Sequence, residues 1–235
     1  MNIFYETHPI VVDLETAPHP CAADYIEPLN LDGIKAAGNL KDPVKVAESL
    51  ATRRAEAAAE HAGKLGRAAL DWNLSRIVAL AWSTGSDIIV MPCANEDEER
   101  AALVAFWKDA KGRELLGFAA RTFDAPTLIQ RSRLLNVEHR AINLARFGKG
   151  SIIDLREILT FDDARYEAIM PRSLKMFARR FGIPCDDPIG GAEIPALIAA
   201  GDWEGVISHV TSDVRITMAL ARRIGVLEPE RVSAA

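Results

Sequence analysis

The sequence predicts an α/β domain built on a mixed sheet of about five strands with helices on both faces. Three observations carry that expectation. Short runs rich in Val, Ile and Leu recur at strand length. Helical patterns separate the later runs, as alternating layers require. A long Ala-rich helical tract separates the first two runs, far more chain than a hairpin needs. At 235 residues, 49% hydrophobic and 26% charged, the chain has the length and composition to bury a full globular core.

Taken in order, the elements begin with "HPIVVDLETAPHP" (8–20), where residues 9–14 read as a strand ended by Pro18 and Pro20. "RIVALAW" (Arg76–Trp82) and "DIIVM" (Asp87–Met91) are strands joined by "STGS", a hairpin-type turn. Residues 95–111 read as a helix burying Leu103, Val104, Phe106 and Trp107, and "ELLGFA" (114–119) as the fourth strand. Asp124 suits a helix N-cap, with Pro126 in the first turn. "SIIDL" (151–155) is the fifth strand, "SLKMFARRFG" (173–182) a helix with a Ser start and a Gly stop. The last helix runs from about Asp202 to Ile224, and the tail "EPERVSAA" is expected to fray. We expect one domain over residues 1–235 with a helical insertion at about 32–75. Its helix, 41–70, opens on an Asp-Pro cap and is either a solvated amphipathic helix or dimer contact, or a substrate clamp.

Bulk properties exclude several classes. No apolar run has the length of a membrane span, and the N-terminus has neither a basic flank nor a long apolar region of secretory type. Cys21, Cys93 and Cys185 are odd in number and widely spaced, which points to inert thiols in a reducing cytoplasm. A net charge of -5 excludes a general polyanion binder. Any nucleic-acid contact must be local, such as one strand end held in a groove.

Asp13 and Glu15 interrupt the apolar first strand. Residues two apart share a strand face, so both carboxylates project together while Leu14 turns into packing. Like charges held that close repel unless a cation sits between them. A polar strand terminus is the simpler explanation of that pair alone. Asp124, directly after strand four, is a helix cap, a ligand, or both, since a carboxylate has lone pairs to share. On the last helix, His209 and Asp213 are four apart and hence neighbours on one face. Ile207, Val210, Val214, Met218 and Ala221 form the apolar stripe beside them, and a salt bridge from Asp213 to Arg215 or Arg222 is the alternative to ligation.

The order of these motifs is more specific than any one of them: D-x-E on a first strand, "FD" at a helix start, His-x-x-x-Asp on the last helix. Together they resemble the DEDD-type 3′–5′ exonucleases of the ribonuclease H-like superfamily, closest to the branch related to the proofreading domain of family B DNA polymerases. "GNLKDPVKVAE", "ALDWNLSRIVALAW", "LLGFAARTFDAPTLIQRSRLL" and "SLKMFARRFGIP" carry the resemblance over nearly the whole chain. It implies a ribonuclease H-like fold, with Asp13, Glu15, Asp124 and Asp213 as metal-binding carboxylates and His209 positioning or deprotonating the attacking water. Leu14, Thr16, Phe123 and Arg131 are the implied or candidate contacts to the terminal nucleotide and its strand. Two positions depart from the pattern. His209 stands where the branch has Tyr, and Ala119 where the second motif usually has Asn. An unperturbed imidazole titrates near pH ~6.5 against ~10 for a phenol, which suits His to general-base work at neutral pH.

The implied cofactors are two divalent cations, Mg²⁺ or Mn²⁺, which favour oxygen ligands over thiolates. The expected partner is the 3′ end of single-stranded DNA, with RNA as an alternative, and a DNA polymerase or replication protein as a further partner. Arg131, Arg133, Arg140, Arg146 and Lys149, and then Arg172, Lys175, Arg179 and Arg180, are candidate phosphate contacts or simply solvated helix faces. Of the tryptophans, Trp82, Trp107 and Trp203 fit apolar core patterns, leaving Trp72 open for stacking on a base. A non-catalytic nucleic-acid-binding module that keeps the fold is the rival from another class, against which retention of all four acids argues.

Overall fold

The structure, a computed structural model of the chain, describes residues 8–85, 87–145, 151–161 and 172–229. Ser86 of the hairpin turn, Arg146, Lys149 and the last residues of the expected frayed tail lie outside these. The chain folds as two compact units, one of Met1–Thr16 with Ile77–Ala235, the other of Ala17–Arg76.

The larger unit is built on a five-stranded sheet in the order β3-β2-β1-β4-β5. Its strands are β1 (Ile10–Pro18), β2 (Ser75–Ser83), β3 (Ile89–Pro92), β4 (Leu115–Gly117) and β5 (Ile152–Asp154). β2 and β3 pair antiparallel, Trp82 opposite Ile89, while β1, β4 and β5 run parallel with Ile10 opposite Leu115 and Leu115 opposite Ile152. This is the expected mixed α/β sheet. β2 is buried at every position but Arg76, because a central strand covered on both faces has no solvent side to spare for polar residues.

Alternation along β1 divides the core. Ile10, Val12 and Leu14 join Leu115, Ile152 and the helices α3 (Glu96–Asp109) and α4 (Asp124–Leu134). Val11 joins Leu116, Ile153, α6 (Leu174–Arg180) and α8 (Trp203–Arg223) on the other face. Continuing Val11's side of the strand by two and four residues puts Asp13 and Glu15 on the α8 side. α3 is opened by Asn95, which accepts from the Glu98 amide at 3.0 Å while Glu98 accepts from the Ala94 amide at 2.7 Å. α6 has the expected Ser173 cap and a stop at Gly182, whose φ of 71° only glycine adopts readily. Two short helices, α5 (Leu155–Thr160) and α7 (Ile194–Ala199), carry too few turns to leave a periodic signal. No helix of the described residues is long and apolar enough to cross a membrane. None of the three cysteines is in a disulfide.

The smaller unit contains α1 (Ala22–Tyr25) and α2 (Pro43–Arg67). α2 begins as expected, with Asp42 accepting from the Val44 amide at 2.9 Å and Pro43 at the first position. The unit starts at Ala17, earlier than the expected 32, because the segment before α2 is tied to that helix. The Ala37 amide donates to Ser49 Oγ at 3.0 Å, Arg53 to the Lys35 carbonyl at 2.9 Å, and His61 bonds the Glu27 carbonyl at 3.1 Å. No residue of α2 is buried, and Trp72 is 41% exposed.

Candidate metal centre

Parallel pairing of β1 and β4 delivers acids from distant parts of the sequence to one edge of the sheet. Asp13 and Glu15 lie on β1 just past the residues it pairs with β4, and the chain leaving β4 turns at 118–123 into α4, whose first residue is Asp124. That turn is held from β5. Asp154 is buried and accepts from the amides of Ala119 and Arg121, both at 3.0 Å, and from the first amides of α5. Arg121 reaches back to Glu157 at 3.0 Å and to the Ala145 and Ile152 carbonyls. Ala119 sits at φ 65°, a left-handed conformation that Asn or Gly adopts more easily than Ala.

Asp124 does not cap α4 as expected. Phe123 occupies the cap position without a side-chain hydrogen bond, and Asp124 lies one residue inside the helix. Its carboxylate is thereby released. Asp124 is buried, and its Oδ2 meets no hydrogen-bond partner. Gly117 makes room beside it: a Cβ there would sit 3.4 Å from Asp124 Oδ2, 3.0 Å from the Val12 carbonyl and 2.9 Å from the Ala120 Cβ.

From the opposite face α8 contributes His209 and Asp213. Glu15, His209 and Asp213 each offer an atom within 4.8 Å of the others. His209, 1% exposed, places Nε2 3.1 Å from Glu15 Oε1 and Nδ1 2.5 Å from Asp187 Oδ2. Asp213 Oδ1 is buried without a hydrogen-bond partner, and its Oδ2 lies 3.9 Å from His209 Nε2.

The electrostatics are those of acids crowded together. Burial, then the charges of Asp124, Glu15 and Asp213, raises Asp13 well above the ordinary carboxylate range. Burial, then Asp154 and Glu15, does the same to Asp124. Burial lifts Asp213 to about 6, although His209 and Lys175 pull it down. Asp13 is therefore within electrostatic reach of the other three predicted carboxylates. A buried acid with an orphaned oxygen is unfavourable without a cation, so the donor set fits divalent metal: hard oxygens, two of them without a hydrogen-bond partner.

His209 lies between two carboxylates. Both ring nitrogens contact carboxylates, so both act as donors and no lone pair is left. Burial opposes its charge, but hydrogen bonds to Glu15 and Asp187 and the charges of Glu15 and Asp213 raise it to about 9. The ring differs from an unperturbed imidazole because two acids, Glu15 and Asp187, hold it.

Other candidate residues divide. Arg131 is corrected outright: it is 2% exposed and forks onto Glu99 at 2.7 and 2.8 Å, with Glu96 at 3.3 Å, so it joins α4 to α3 instead of reaching a substrate. Leu14 points into the core, away from any nucleotide, as strand alternation demands. Thr16 is buried, and Phe123 is half-buried against the α3–α4 core. Lys175 is committed to Asp187 at 3.0 Å. Asp187 escaped the sequence reading entirely. It lies in a loop, "CDDPIG", where a pair of acids beside a proline reads as a turn.

Strand order, parallel pairing and the acid-bearing edge define a ribonuclease H-like α/β fold. No protein-family model and no curated protein matches the chain. Among solved structures it is similar to the family B DNA polymerase from the hyperthermophilic archaeon Pyrobaculum calidifontis, with a TM-score of 0.57 and 18% identity. The match covers 94% of this chain and 25% of that one, so the chain spans a quarter of the polymerase's length. At that identity the likeness is one of fold.

Proposed function

We propose that the protein is a metal-dependent 3′–5′ exonuclease that removes nucleoside monophosphates from the 3′ end of single-stranded DNA. The observation that carries this reading is the convergence of Asp13, Glu15, Asp124 and Asp213, two of them with orphaned buried oxygens. The motif order supports it, and so does the fold shared with a family B DNA polymerase.

In this reading Asp13, Glu15 and Asp213 hold one Mg²⁺ or Mn²⁺, and Asp124, with the substrate phosphate, completes a second site. Such an ion pair, when bound, supplies a hydroxide at neutral pH and charge stabilisation for the departing 3′ oxygen. The protein's own part is placement. Asp13 and Glu15 are set by the strand, Asp124 by the Ala119–Phe123 turn, and Asp213 by the packing of α8. His209 donates to Glu15 and fixes the direction of that carboxylate, in place of the proton-abstracting role expected from sequence. Phe123 borders the terminal nucleotide.

The test uses 5′-labelled single-stranded DNA with Mn²⁺, beside RNA of the same sequence. Stepwise shortening from the 3′ end by the wild type, lost in Asp13→Ala, supports the proposal. An inert wild type, or an undiminished Asp13→Ala protein, refutes it; preference for the RNA moves the activity to ribonucleolysis on the same residues.

A further inference from the structure

We propose that Asp187, anchored by Lys175, is a positioning residue of this site: it aims the His209 ring so that Nε2 meets Glu15 and holds that carboxylate toward the other acids. The inference rests on the cation-site reading above and extends it to two residues outside the four-acid motif.

The contacts form a chain with one direction. Lys175, on α6, places its ammonium 3.0 Å from Asp187 Oδ2 and 3.2 Å from the Asp187 carbonyl, and also donates to the Ile189 carbonyl. The Ile189 amide donates to Asp187 Oδ1 at 3.0 Å. Both oxygens of Asp187 are thus occupied, and the carboxylate cannot swing. Its Oδ2 then receives His209 Nδ1 at 2.5 Å. A buried imidazole pinned at one nitrogen has a single direction for the other, and that direction ends on Glu15 Oε1 at 3.1 Å.

The same loop continues past the acid. A Cβ on Gly191 would lie 3.6 Å from Glu15 Oε2, so the segment from Asp187 to Gly191 runs along both His209 and the second oxygen of Glu15. Groups that orient a ligating side chain from behind influence ion affinity or turnover by about 10- to 100-fold when removed. The competing account is that Asp187 merely ties down the loop between α6 and α7. The two accounts differ in whether its effect passes through His209.

The experiment combines imidazole nuclear magnetic resonance on metal-free, ¹⁵N-histidine-labelled full-length protein with Mn²⁺ titration calorimetry and the DNA assay. Asp187→Asn keeps size and removes charge, Lys175→Met removes the anchor without touching His209, and both are repeated on a His209→Gln background. Asp187→Asn should shift the His209 ring signals and lower Mn²⁺ affinity or kcat by about 10- to 100-fold, with a smaller loss for Lys175→Met. On the His209→Gln background the same changes should cost less than about twofold, because coupled residues are non-additive. Unshifted His209 signals overturn the inference, as does an equal loss on both backgrounds. If Asp187→Asn fails to fold, the Lys175→Met pair decides by the same criteria. A wild type inert on DNA defeats the nuclease reading alone, since the resonance and calorimetric arms still decide this one.

Discussion

Asp213 carries a buried oxygen with no partner and a carboxyl group lifted to about 6, beside three other acids. Removing its charge should relieve repulsion and remove a ligand together. Asp213→Asn is therefore expected to raise the melting temperature of the metal-free protein by several degrees at pH 8, while abolishing the further rise expected from Mn²⁺ in the wild type. Differential scanning fluorimetry with and without EDTA measures both. A metal-free variant no more stable than wild type contradicts the crowded-acid account. Ala119 is strained in the opposite sense, by backbone and not by charge. Its φ of 65° is disfavoured for a residue with a Cβ, and both its flanking turn and the Asp154 bond require it. Ala119→Gly should stabilise by about 1 kcal/mol, and Asn should recover part of that. Chemical denaturation checks it; an unchanged or lower midpoint for Gly refutes the strain.

Helices and strands were legible in proportion to their pattern. The strand alternation that sends Asp13 and Glu15 one way and Leu14 the other is visible in six residues, and the caps at Asp42 and Ser173 follow from local chemistry. Of the roles open to Asp124, cap, ligand or both, the cap falls to the position of Phe123, because residue type cannot say which of two adjacent positions starts a helix. Arg131 was misread as a substrate contact because its partner, Glu99, is one turn into another helix and 32 residues away. Asp187 left no signal, since a loop acid acquires meaning only when α8 brings His209 to it. The Arg131 correction has a direct consequence. Arg131→Ala should destabilise the protein by about 3–5 kcal/mol by leaving Glu99 buried without its partner. Urea denaturation reads the loss, and an Arg131→Ala protein of normal stability but raised KM for DNA would restore the original assignment.

At the scale of the whole molecule, site charge and stability are linked through pH. Asp213 in the folded, metal-free protein holds its proton to about 6, against 3.8 for an ordinary Asp. The native state therefore binds more protons than the unfolded chain across that window, and stability falls as pH rises through it. His209, at about 9 against 6.5, contributes stability that is complete below 6.5 and lost as pH rises through about 9. Both groups act in the same direction, each on the order of 3 kcal/mol. Metal-free protein should thus melt at progressively lower temperature from pH 5 to pH 9, and the Mn²⁺-induced rise should be larger at pH 8 than at pH 5. A flat profile in EDTA contradicts this linkage. Two divalent ions would also take the formal charge from -5 to about -1, leaving the acid edge of the sheet able to receive a phosphate. The most direct measurement is anomalous X-ray scattering from crystals grown with Mn²⁺. The account predicts strong peaks between the carboxylates of Asp13, Glu15, Asp124 and Asp213, absent from Asp213→Asn crystals. Crystals that diffract well and show no manganese at that edge would contradict it.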